Sequence, residues 1–162
     1  MDLTGDVRIP AAREAVWRAL NDPEVLRRCI PGCERMEREG DDVFTATVAA
    51  KVGPVSAKFS GKVSLQDVDA PNGYRLVGEG TGGVAGFGKG EAAVTLIEEE
   101  DGRTVLSYVA KAKVGGKLAQ IGQRLVDATA RKLADDFFTR FAAEVGGPAS
   151  DDIAAEPASA GG

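Results

Sequence analysis

Gly116–Val145 reads GKLAQIGQRLVDATARKLADDFFTRFAAEV, thirty residues with no proline and one interior glycine, Gly122. Good helix formers dominate it. At 1.5 Å per residue such a helix spans about 45 Å, more than a small domain needs for a cap. The rest of the chain is therefore expected to lie along it. Its charges form an i,i+4 ladder suited to a solvated face: Asp127/Arg131, Arg131/Asp135, Lys132/Asp136, Asp136/Arg140 and Arg140/Glu144. Its apolar face is split. Leu118, Ile121, Gly122, Leu125 and Thr129 centre on one direction, while Leu133, Phe137, Phe141 and Val145 centre on another, rotated by roughly 140°. Either the two halves bury against different things or the helix bends near Ala130. We expect the Phe-rich second half to seal a core and the leaner first half to roof a space. An ordinary curved helix on an ordinary core is the alternative.

Working back from the helix, the period of the apolar residues becomes two. Strands are expected at Thr104 to Val114, Lys89 to Glu98, Tyr74 to Thr81, Val55 to Leu65, Phe44 to Val52 and Glu34 to Glu39. The turns between them are Glu99 to Arg103, the glycine-rich Gly82 to Gly88, Ala70-Pro71-Asn72-Gly73, Gly53-Pro54 and Gly40-Asp41-Asp42. Before these lie two short helices, Ala11 to Leu20 and one reaching about Cys29 that opens with Asp22 as cap and Pro23 in its first turn. Leu3, Gly5, Val7 and Ile9 alternate with polar residues in a first strand. Short turns make neighbouring strands antiparallel, so the expected fold is α+β: seven strands in one curved sheet around a long C-terminal helix. The inward positions of this sheet are lean. Ala57, Gly61, Gly78, Gly80, Ala92, Ala110 and Ala112 stand where a filled core would carry Leu, Ile or Phe. Either the helix lies tight on the sheet or a cavity separates them.

Composition limits the function. The chain has enough apolar bulk for one core, expected over residues 1–145, with the small, acidic residues 146–162 reading as a disordered tail. It has no apolar run approaching membrane-spanning length, and its first residues alternate instead of forming a signal peptide, so a cytoplasmic location is expected. A net charge of −5 without a basic stripe argues against nucleic acid as a partner. The absence of His removes the commonest general base and metal ligand.

Several motifs are weaker than they look. Cys29 and Cys33 lack the further ligands a zinc site needs, so they read as packed thiols, with a redox or regulatory role as the alternative. Gly83-x-x-x-x-Gly88-Lys89 has Gly90 where a phosphate loop needs Ser or Thr, and a strand follows it instead of a helix. A lid carrying Phe87 over a pocket, or simply a long hairpin, accounts for the loop better. Glu98 to Asp101 reads as a solvated acidic turn. Tyr108 and Phe59 share the face of the lean positions.

Taken together, Leu3-x-Gly5, Val16-Trp17-x-x-Leu20-x-Asp22-Pro23, Cys29-Ile30-Pro31-Gly32-Cys33, Val52-Gly53-Pro54-Val55, Phe59-x-Gly61, the glycine loop, Gly115-Gly116-Lys117-Leu118-Ala119-x-x-Gly122 and Phe137-Phe138 resemble the CoxG family of carbon monoxide dehydrogenase subunits. That family belongs to the START/Bet v 1-like helix-grip superfamily, and the resemblance runs from Met1 to Val145. It implies a hydrophobic pocket between helix and sheet. It also implies association with a carbon monoxide dehydrogenase or related molybdenum hydroxylase and with the cytoplasmic face of the membrane, either as an anchor or as a carrier of a quinone. On that basis the chain is expected to be non-catalytic, with no covalent cofactor and with bound menaquinone or ubiquinone as the guest. Phe59, Val63, Leu76, Phe87, Val94, Tyr108, Leu118, Ile121 and Leu125 are expected to line the site, and Trp17 and Ile30 to serve as wall and entrance packing. A docking or maturation adaptor and a polyketide-cyclase-like enzyme relying on Tyr108 are the alternatives. Some members continue into an apolar or amphipathic membrane-binding segment, whereas residues 146–162 are nearly free of bulky apolar groups.

Overall fold

The computed structural model describes residues 1–146, so the expected disordered tail lies outside the described residues apart from Gly146. Strand β1 (Asp2–Ile9) leads into α1 (Arg13–Leu20) and α2 (Pro23–Cys29). Asp22 caps α2 as expected: its carboxylate accepts from the Glu24 N–H at 2.9 Å, and Pro23 opens the first turn. Six strands follow: β2 (Cys33–Glu39), β3 (Val43–Val52), β4 (Val55–Asp69), β5 (Gly73–Thr81), β6 (Phe87–Glu98) and β7 (Thr104–Gly115). All seven are antiparallel in the order β1-β7-β6-β5-β4-β3-β2, so the first strand returns to pair with the last.

The helix that closes the chain is not continuous. Helix α3 (Lys117–Gln120) ends at Ile121-Gly122, and α4 (Gln123–Gly146) begins afresh. The break comes at Gly122, whose φ of +107° has no place in a right-handed helix, and not at Ala130. The charge ladder is also thinner than expected. Lys132 reaches Asp136 at 3.0 Å, but Arg131 leaves the helix surface and Glu144 pairs with Arg28 of α2 at 2.9 Å.

The main core sits where the second half of α4 meets α1, α2 and one end of the sheet. Ile9, Val16, Cys29, Leu106 and Phe141 are at most 1% exposed there, with Phe44, Leu65, Tyr74, Val94 and Leu96 around them. Phe137, Phe138 and Phe141 interlock, Phe138 meeting Phe137 edge-on at 5.0 Å and Phe137 stacking on Phe141 at 5.5 Å. Trp17 packs on Tyr74 at 5.3 Å in the same core.

Candidate functional site

Strand register fixes what the inner face of the sheet offers. Three neighbouring rungs run across it: Ala46, Gly61, Gly80, Gly88 and Val114; then Phe44, Val63, Gly78, Gly90 and Ala112; then Leu65, Leu76, Ala92, Ala110 and Leu3. The centre of the sheet is therefore a strip of glycine and alanine. Cβ atoms built at Gly61, Gly78, Gly80, Gly88 and Gly90 would have their nearest neighbours in adjacent strands and none in a helix. The backbone of helix α4 runs beside α2 and β1 and also meets α1 and β3, at the flanks of the sheet, while its Phe138 and Arg131 side chains reach inward to Tyr108 of β7. Beyond the strip, packing resumes. Leu118 and Ala85 are buried, 6% and 4% exposed, yet neither belongs to the main core cluster, and nor does Val126. Two packed regions thus face each other across a stretch of nearly bare backbone.

The far region is built from three connections. The β5–β6 loop folds into a short 3-10 turn, Gly83–Ala85, closed by the Gly82 N–H donating to the Gly86 carbonyl at 2.8 Å. The Phe59 ring packs against Gly82, where a Cβ would come within 2.6 Å of it. Ile121 and Leu125 cover Gly53 in the β3–β4 turn, at 3.3 and 3.5 Å from the position of its missing Cβ.

Of the nine expected lining residues, Phe59, Val63, Leu76 and Tyr108 share the inner face and border the strip. Val94 shares that face but is sunk in the main core between Tyr74 and Tyr108. Leu118, Ile121 and Leu125 close the far end, with Leu125 still 48% exposed. Phe87 is corrected: it is 50% exposed on the outer face, its ring against Gly115, because β6 places Gly88, Gly90 and Ala92 inward and so turns Phe87 out. It cannot gate an inner space from there. The expected wall residue Trp17 lies in the main core.

Two clefts open beside the first half of α4. One, of 220 Å³, lies against Ala112, Val114, Ala119 and Val126; the other, of 290 Å³, against Gly32, Ala49, Ala50, Thr129 and Leu133. About 150 Å³ suffices for a benzene-sized guest, so each is large enough for a single ring. Three recesses are larger: two, of 680 and 610 Å³, on the outer face of the sheet among Lys62, Glu79 and Lys89, and one of 590 Å³ beside Trp17 and Leu65.

Polar chemistry on the inner face is sparse. The Tyr108 ring stacks on Phe138 at 5.3 Å and lies against Gly5, where a Cβ would sit 2.8 Å away. Arg131 Nη1 donates to the Tyr108 hydroxyl at 3.2 Å and to the Thr4 carbonyl at 3.3 Å. The helix ladder hid this contact, because Arg131 looks solvated from sequence alone. Val126 was also missed, since the break at Gly122 rotates the phase of the helix that follows. Cys29 and Cys33 are both free thiols, and burial pushes the Cys29 thiol up, holding it protonated and unreactive. Among the described residues no three His, Cys, Asp or Glu side chains gather as a metal site, and no helix is long and apolar enough to cross a membrane.

An antiparallel sheet with two short helices after its first strand and a long C-terminal helix laid against its inner face defines a START/Bet v 1-like helix-grip protein. The chain belongs to the CoxG family of carbon monoxide dehydrogenase subunits, whose model matches residues 5–146. A conserved protein from Geobacillus kaustophilus is 34% identical, with a TM-score of 0.83 over 90% of this chain and 95% of that one. The Zhui aromatase/cyclase from Streptomyces and a START superfamily protein from Mycobacterium smegmatis share the fold at TM-scores of 0.66 and 0.67. They are 14% and 13% identical, covering 90% and 89% of this chain and 93% and 96% of theirs. No curated sequence matches it.

Proposed function

We propose that this protein is a non-catalytic carrier that holds an isoprenoid quinone, menaquinone or ubiquinone, or a similar lipid, between α4 and the sheet. It serves a molybdenum-containing carbon monoxide dehydrogenase at the cytoplasmic face of the membrane, linking the enzyme to the quinone pool. The observation that carries this reading is the glycine and alanine strip separating two packed regions, under a helix whose backbone runs closest to the flanks of the sheet. Apolar burial at about 25 cal/mol per Å² gives a long isoprenoid tail several kcal/mol without specific polar contacts. The family name points to the enzyme served.

The test is native mass spectrometry of protein purified from a quinone-containing host. The wild type is expected to retain a quinone mass. Gly88→Leu is the matched variant, because a Cβ there meets nothing nearer than 3.7 Å and the longer side chain enters the open strip. Its retention should fall by about ten-fold, the equivalent of about 1.4 kcal/mol. A second reading, an adaptor that recruits or matures the dehydrogenase without cargo, draws its support from the modest clefts beside α4, 220 and 290 Å³. An empty protein that still binds the dehydrogenase sustains the adaptor and overturns the carrier.

A further inference from the structure

Charge is sorted along the strands. Residues 43–66, 80–90 and 104–126 contain no carboxylate at all, yet they hold seven lysines and Arg124. The turns at the opposite end are acidic: Glu39 to Asp42, Asp67 to Asp69, and Glu98 to Asp101. Register and contacts bring the three carboxylate-free connections together, since Gly53 lies under Ile121 and Leu125, and Gly86 lies against Gly116 and Leu118. This end also carries exposed apolar side chains: Val84 at the tip of the 3-10 turn is 87% exposed, Phe87 beside it 50% and Leu125 48%. Lys89, Lys113 and Lys117 stand exposed directly behind them, with Glu79 as the one carboxylate directly opposite a member of this trio, across the ladder from Lys89. The 220 Å³ cleft, bordered by Val114, Ala119 and Gly122, opens at the same end.

From this sorting we infer that the end carrying the 3-10 turn is a docking surface for an anionic lipid bilayer. Val84 and Phe87 enter the headgroup region, and Lys89, Lys113 and Lys117 meet the lipid phosphates. Apolar tips that insert and a collar of lysines behind them are the two components of peripheral membrane binding, and the acidic end is repelled by the same surface. Docking in this orientation points the cleft at the bilayer, so a guest passes between lipid and protein without crossing water. The inference rests on the reading of the protein as one that meets the membrane, and it adds which face does so.

Co-sedimentation of the full chain with quinone-free phosphatidylcholine vesicles, with and without phosphatidylglycerol, tests the docking separately from cargo binding. The wild type is expected to bind the phosphatidylglycerol vesicles more tightly and to lose that preference as salt is raised. The triple change Lys89→Glu, Lys113→Glu, Lys117→Glu should lower partitioning by roughly a hundred-fold at low salt. Val84→Asp should lower it by roughly ten-fold. Arg18→Glu, the same sign of change on α1 near the acidic end, should leave it unchanged. All these side chains are at least partly exposed, and melting curves check that each variant folds. Binding that ignores phosphatidylglycerol, or a triple variant that partitions like the wild type, overturns the inference. So does an outcome in which the wild type ignores vesicles while the triple change abolishes binding to the dehydrogenase, which assigns this end to an acidic protein partner. A negative vesicle result leaves the mass-spectrometric test of the carrier intact.

Discussion

Tyr74 shows how the main core sets a pH limit on stability. Its phenol is 7% exposed under Trp17, and burial pushes its ionisation well above the ordinary value of 10.0. The unfolded chain releases this proton near its ordinary value while the folded chain keeps it. The contribution is therefore fully present below about pH 10 and is lost as pH rises above that, by up to about 1.4 kcal/mol per pH unit. Urea unfolding of the wild type and of Tyr74→Phe at a series of alkaline pH values is expected to show a steeper decline for the wild type. Equal slopes would mean that Tyr74 does not hold its proton. Nothing in the sequence marked Tyr74 for this role, since it falls where a strand begins and burial comes from α1 folding over it. Phe87 is the opposite case. Counting back by twos from Val94 puts it outward, whereas the run of glycines before it suggests a lid, and the strand parity is what prevails.

Among the elements, α4 is divided in what it stabilises. Phe141 is 0% exposed and fixes the second half to α2 and the core, whereas Leu125 in the first half is 48% exposed over a turn. Phe141→Ala is expected to cost about 3–5 kcal/mol and Leu125→Ala about 0.5 kcal/mol or less, measured by chemical unfolding. Comparable losses would indicate a helix uniformly seated on the sheet. The strands were legible because residues facing inward and outward alternate through β3 and through β4 as far as Leu65, leaving one consistent inner face until the register shifts between Gln66 and Asp69. The capped start of α2 was legible for a similar reason, as Asp22-Pro23 has few other local uses. The break in the last helix was not. Gly122 is flanked by residues that favour helix, and only the backbone geometry, a positive φ, separates a tolerated glycine from a terminator. The split apolar face did signal two environments, but it placed the transition a full two turns too late.

Over the whole molecule, the lean inner face was legible as composition and became a place only through register. Gly61, Gly80 and Gly88 are far apart in the chain and adjacent in the sheet. The charge sorting stayed invisible in a net value of −5, because the acids and lysines alternate along the sequence and separate only when the hairpins are stacked. The glycine strip has a mechanical consequence as well. Glycine and alanine at the centres of three neighbouring rungs leave few side chains to interlock in the middle of the sheet, so an occupant acts as the keystone of an arch, supplying the dispersion contacts that the chain omits. Loaded protein should accordingly melt higher than empty protein, by an amount that climbs with the logarithm of free ligand, and calorimetry across a titration reads that climb directly.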